Sequence, residues 1–167
     1  MKAFISAQFS YCPLVWMFHS KKLNHRINSI HERALRIVYN DYASFFHLLL
    51  TRDDSVTIHI RNIQTLATEL FKMSKGFSPL IMTEVFQLKK SRRYPTQSMF
   101  DTHNIHTTHY GIQSLAYLSP KIWDIIPTDL KNINSLDLFK KRIKLWIPNK
   151  CPCYLCKTYI HHIGFID

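Results

Sequence analysis

From Lys21 to Tyr39 apolar residues return at helical spacing. Leu23, Ile27, Ile30, Ala34, Ile37 and Val38 fall on one stripe at about 100° per residue. The periodicity predicts a helix over 21–39 that buries this stripe. On the same wheel Lys22, Arg26, Arg33 and Arg36 share an arc of about 80° beside it. A second amphipathic helix is expected after Ser55, with Ile60, Ile63, Leu66, Ala67, Leu70, Phe71 and Met73 inward and Lys75-Gly76 as its stop. Ser78-Pro79 reads as the cap and first position of a short helix to about Phe86, and Ser119-Pro120 as those of another through Ile126. Ser135 opens a last one with Leu136, Phe139, Ile143 and Trp146 on one face. Residues 105–110 and 114–118, on either side of Gly111, read as a hairpin. With three Gly in 167 residues and no internal repeat, helices joined by short turns dominate. The expected fold is mainly α: a helical bundle with a small β-hairpin and a Cys-rich C-terminal tail.

The segments follow from the same pass. Residues 1–86 form a helical region, 87–104 an exposed basic linker, 105–150 the hairpin with short helices, and 151–167 the Cys-rich tail. The stretch 3–18 is apolar but broken at Cys12-Pro13, because proline removes a helical donor. It opens without a polar cap, as a piece cut from a longer chain would. Interrupted by Ser6, Gln8, Ser10 and Pro13, it falls short of the roughly 20 apolar residues that a membrane span needs. No Asn-x-Ser/Thr sequon or secretory pattern accompanies the four Cys, so a reduced, intracellular chain, nuclear or cytoplasmic, is expected.

The formal charge is +11, concentrated as +5 over residues 1–40 and +7 over 89–150. Such a balance favours polyanionic partners. The two basic sets differ in kind. Lys22, Arg26, Arg33 and Arg36 hold fixed helical positions, whereas Lys89, Lys90, Arg92 and Arg93 form a run ahead of Pro95. Interleaved aromatics strengthen a nucleic-acid reading, since bases offer faces on which to stack.

Three other constellations bear on chemistry. Asp53-Asp54 is the only adjacent acidic pair, and it lacks the further carboxylate of a two-metal polymerase site. Helix capping by Asp54-Ser55 explains it better. Cys12, beside Tyr11, Pro13, Leu14 and Val15, reads as a buried, inert thiol. Cys151, Cys153 and Cys156, followed by His161, supply three thiolates and an imidazole in a short span, enough for tetrahedral zinc, with His162 as the substitute imidazole. No Gly-rich phosphate loop or Gly-x-Ser-x-Gly elbow occurs.

The runs Ser10-Tyr-Cys-Pro-Leu-Val-Trp-Met-Phe-His19 and Ile30-His-Glu-Arg-Ala-Leu-Arg-Ile-Val-Tyr39 carry a resemblance. So do Tyr110-Gly111, Leu118-Ser-Pro-Lys-Ile-Trp123, Ile126-Pro127, Trp146-Ile147 and the Cys-Pro-Cys-x-x-Cys tail. Together they resemble the segment that follows the polymerase domain in reverse transcriptases of non-LTR (LINE-class) retrotransposons. The resemblance implies that residues 1–86 are a thumb-like helical region gripping RNA, DNA or an RNA–DNA hybrid. It also implies that the catalytic aspartates belong to a palm domain upstream, leaving this chain inactive as a polymerase by itself. The family's aromatic-x-Asp-Asp turn is missing, since Thr51 stands two places before Asp53. The family's Cys-Cys-His-Cys knuckle also differs from this tail in order and spacing. Two rival readings are a helical protein-interaction module docking through 3–18, and a transposon relic without function.

Overall fold

The computed structural model describes residues 7–86, 88, 99–102, 104, 111–148, 151–153 and 155. The chain is mainly helical, in the order α1 (Pro13–Trp16), α2 (Lys21–Tyr39), α3 (Phe46–Arg52), α4 (Ile58–Ser74), α5 (Ile81–Val85), a 3₁₀ turn (Gly111–Gln113), α6 (Leu115–Ile125), α7 (Thr128–Lys131) and α8 (Leu136–Ile143). It divides into two compact units, Met1–Asn62 and Ile63–Asp167, and the dividing point falls inside the unbroken helix α4. No described helix is long and apolar enough to cross a membrane.

In the first unit, helix is present at residues 7–10, stops at Tyr11-Cys12, and resumes with Pro13 at the first position of α1. The expected break at Cys12-Pro13 is therefore found. Cys12 itself is exposed and left-handed (φ 43°), contrary to the buried thiol expected from its apolar neighbours. Tyr11 and Val15 are exposed with it, so those neighbours offer it no cover. Helix α2 starts at Ser20, whose hydroxyl accepts from the Leu23 N–H at 3.4 Å. It ends at left-handed Asn40, whose N–H returns to the Arg36 carbonyl.

The rotation of α2 differs from the one its aliphatic residues predict. The buried residues are Asn24, Asn28, His31, Ala34 and Leu35, while Leu23, Ile30 and Ile37 are 43%, 54% and 58% exposed. Aromatic contacts explain the turn of the helix. His31 is met by the Phe9 ring at 6.0 Å and edge-on by Phe46 of α3 at 5.6 Å. Tyr39 donates its hydroxyl to Asp53 Oδ1 at 2.6 Å and lies under the Arg52 guanidinium at 4.9 Å, which fastens the end of α2 to the end of α3. Asp53-Asp54 thus closes α3, with Asp54 at φ 49°. The cap of α4 is Thr57, whose hydroxyl accepts from the Ile60 N–H, and not Asp54-Ser55 as expected.

The second unit is built along α4. Ile63, Leu66, Ala67, Leu70 and Phe71 have no exposed surface. The helix stops where the sequence predicts. Gly76 turns left-handed at φ 75°, its N–H bonds the Met73 carbonyl and the Phe77 N–H reaches back to Lys72, satisfying two orphan carbonyls. Helix α8 begins at its predicted cap, Ser135, and runs antiparallel to α4. Lys75 Nζ donates to Asn134 Oδ1, Phe71 stacks on Phe139 at 4.0 Å, and the Gln64 amide donates to the carbonyls of Lys144 (3.1 Å) and Trp146 (2.9 Å).

Other expectations shift. The arm 114–118 expected to be a strand is helical, because Ser114 accepts from the Tyr117 N–H and so opens α6. The other arm, 105–110, lies outside the described residues. Ser119-Pro120 therefore sits inside α6, where the Ser119 hydroxyl satisfies the Leu115 carbonyl instead of capping a new helix. Helix α5 begins at Ile81, two residues beyond Pro79, without a side-chain cap. Within the expected linker 87–104, Leu88 bridges Phe100 in antiparallel fashion, and buried Phe100 meets Trp123 edge-on at 5.5 Å.

Candidate functional site

Two features carry chemistry. The first is the outer face of α2. Lys22, Arg26 and Arg33 are exposed there, within about 40° of one another on the helical wheel, and no ion pair engages them among the described residues. Arg36 departs from the set. It is half-buried in an ion pair with Glu32 at 2.6 Å, an i, i+4 neighbour, so three of the four expected cations are free to meet a ligand. Lys89, Lys90, Arg92 and Arg93 lie outside the described residues.

The acidic pair has structural roles on this geometry. Asp53 is spent on the Tyr39 hydroxyl and on ending α3. Incubated with a primer–template and Mg²⁺ or Mn²⁺, the chain should extend no primer. Extension that vanishes in Asp53→Asn would make the pair catalytic.

The second feature is a pair of buried thiols, Cys151 and Cys153, side by side in the second unit. Two neighbouring thiols are donors that a metal ion can take. The cysteine pair owes its form to local chain chemistry. Proline at 152 keeps Cys151 extended, and in extended chain residues two apart face the same way. Their sulfurs are 3.2 Å apart, both buried and not joined as a disulfide.

Of the ligands expected in the tail, Cys151 and Cys153 are thus brought together, while Cys156, His161 and His162 lie outside the described residues. Sequence reasoning did not anticipate that α4 buries polar residues, His59, Asn62 and Gln64, beside its apolar ones. Nearby, His19 donates Nδ1–H to the Trp16 carbonyl at 2.7 Å. Burial holds its basicity below the ordinary value, against the Trp16 carbonyl and Asn24, which act to raise it. It stays neutral near pH 7.

No protein-family model, no curated protein and no solved structure matches the chain.

Proposed function

We propose that the chain binds nucleic acid through α2 and derives from the region beyond the polymerase domain of a non-LTR retrotransposon reverse transcriptase, without carrying that enzyme's active site. The supporting observation is that Lys22, Arg26 and Arg33 stand exposed side by side on a 19-residue helix whose far side is anchored. A rigid row of unpaired cations tracks a phosphate backbone without paying much to order itself. The ligand is RNA, DNA or a hybrid of the two, and the setting is intracellular, nuclear or cytoplasmic. In a longer polymerase the upstream palm is the natural neighbour.

Salt tests the reading. Three phosphate contacts give a slope of log K against log salt of about −2 to −3. Replacing both arginines, Arg26→Gln with Arg33→Gln, should flatten it by about 1.8 on duplex DNA with helix content unchanged, since neither side chain is buried. An unchanged slope would reduce these residues to a solvated face. The second reading, protein docking, draws on exposed Leu23, Ile30 and Ile37 beside the cations. Association that ignores salt would favour it.

The metal proposed for the Cys-rich tail is zinc. Cys151 and Cys153 are thiolate donors that suit it, and both are buried, as the ligands of a structural ion are.

A further inference from the structure

We propose that the exposed face of α8 and of the turn after it binds an anionic phospholipid surface, with Leu138 and Leu145 entering the bilayer interface and Lys140, Lys141, Arg142 and Lys144 meeting the charged headgroups. The inference stands apart from the nucleic-acid reading of α2.

Four cations fall within residues 140–144, and all four are exposed. Among the described residues no ion pair engages them, and Asp137 is the one carboxylate of the helix. The helix dipole accounts for part of this charge, since basic residues suit a last turn. It does not account for all of it, because a helix C-terminus presents only about half an elementary negative charge. The surplus fits an anionic occupant.

Beside the cations stand aliphatic side chains. Leu138 and Leu145 are seven residues apart, so they fall within about 20° of each other on the helical wheel, with Lys141 and Arg142 on either side in an arc of roughly 100°. The turn prolongs the helical path, the Leu145 N–H bonding the Arg142 carbonyl and the Trp146 N–H the Ile143 carbonyl. On both sides of Leu145 the chain is fastened, because the carbonyls of Lys144 and Trp146 accept from the amide of buried Gln64 at 3.1 and 2.9 Å. Leu145 is thereby held outward, 84% exposed, and exposed Ile147 extends the apolar spot.

This mixture selects among anions. A phosphate backbone would use the cations and leave the leucines bare, because bases stack on aromatic rings and not on aliphatic chains. A bilayer takes both parts. Aliphatic side chains sink to the boundary of headgroups and acyl chains, while basic residues beside them stay among the anionic headgroups with their stems laid along the apolar layer.

The full chain, mixed with vesicles of phosphatidylcholine and phosphatidylserine in equal parts, should sediment with them and should stay in solution with vesicles of phosphatidylcholine alone. Each basic residue contributes about a fivefold gain in binding at an anionic surface, so Lys141→Gln with Arg142→Gln should weaken it by about 25-fold. Leu138→Ser with Leu145→Ser should weaken it by at least about tenfold, whereas Leu145→Trp should tighten it, since tryptophan prefers the interface. All these sites are exposed, so helix content by circular dichroism should match the wild type. A wild type that ignores the serine lipid would overturn the proposal. Equal sedimentation of the double leucine variant would do so too, reducing the binding to bulk positive charge. If Lys141→Gln with Arg142→Gln weakens nucleic-acid binding while vesicles are ignored, the face serves nucleic-acid phosphates and the lipid assignment falls.

Discussion

Phe71→Ala should destabilise the second unit by about 3–5 kcal/mol, the range for emptying a large aromatic site in a packed core. Phe71 and Phe139 have no exposed surface, and their rings stack at 4.0 Å with planes 13° apart. Truncation removes both the buried area and the ring face against which Phe139 rests. Against a total of about 5–15 kcal/mol for a domain, that is a large fraction. The measurement is a urea transition whose midpoint falls while its steepness is kept. Leu145→Ala, at a site 84% exposed, serves as the contrast and should move the midpoint by less than about 0.5 kcal/mol. A Phe71→Ala loss below about 1 kcal/mol would mean that the stacked pair is not a close-packed core.

Acid should weaken the first unit through His31. Burial pushes its imidazole down to about 4, the Arg61 charge adds to the effect, and Asp53 opposes it. The unfolded chain takes up this proton near pH 6.5, whereas the folded chain refuses it until about pH 4. Stability from this group is therefore complete above about pH 6.5 and is lost as the pH falls toward 4, by about 2 to 3 kcal/mol. The sign is that of a base kept neutral by folding. His31→Leu should remove the dependence, flattening the stability profile between pH 6.5 and 4 by close to one proton. Urea midpoints measured in steps from pH 7.5 to 4.5 give both profiles. Parallel profiles for the two proteins would show that His31 titrates normally, as would an imidazole resonance moving near pH 6.5.

Capping chemistry was legible in the sequence where a side chain or a glycine settles a helix end by itself. Ser135 opens α8 and Gly76 closes α4 as their residue types predict. Rotation was not legible. In α2 the aliphatic residues make the most regular stripe, yet the helix is seated on His31, Asn24 and Asn28, because Phe9 meets His31 at a tilt and Phe46 edge-on, contacts that no periodicity reveals. The basic face survived this rotation because Lys22, Arg26 and Arg33 lie beside the expected stripe and opposite the side that is buried, outside the core under either assignment. Of the expected zinc ligands, the pairing of Cys151 with Cys153 could be read from their spacing.

The antiparallel course of α4 and α8 has a consequence for a chain as it leaves the ribosome. The Gln64 amide waits for carbonyls 80 and 82 residues later, and Phe71 waits for Phe139. At roughly 5–20 residues per second, the apolar side of α4 stays bare for about 4–16 seconds after it emerges. Helix α2 and α3, whose Tyr39–Asp53 link spans 14 residues, can close at once. The nascent chain thus carries a folded first unit and an uncovered helix at the same moment, an interval in which a chaperone or a neighbouring nascent chain would find its opening.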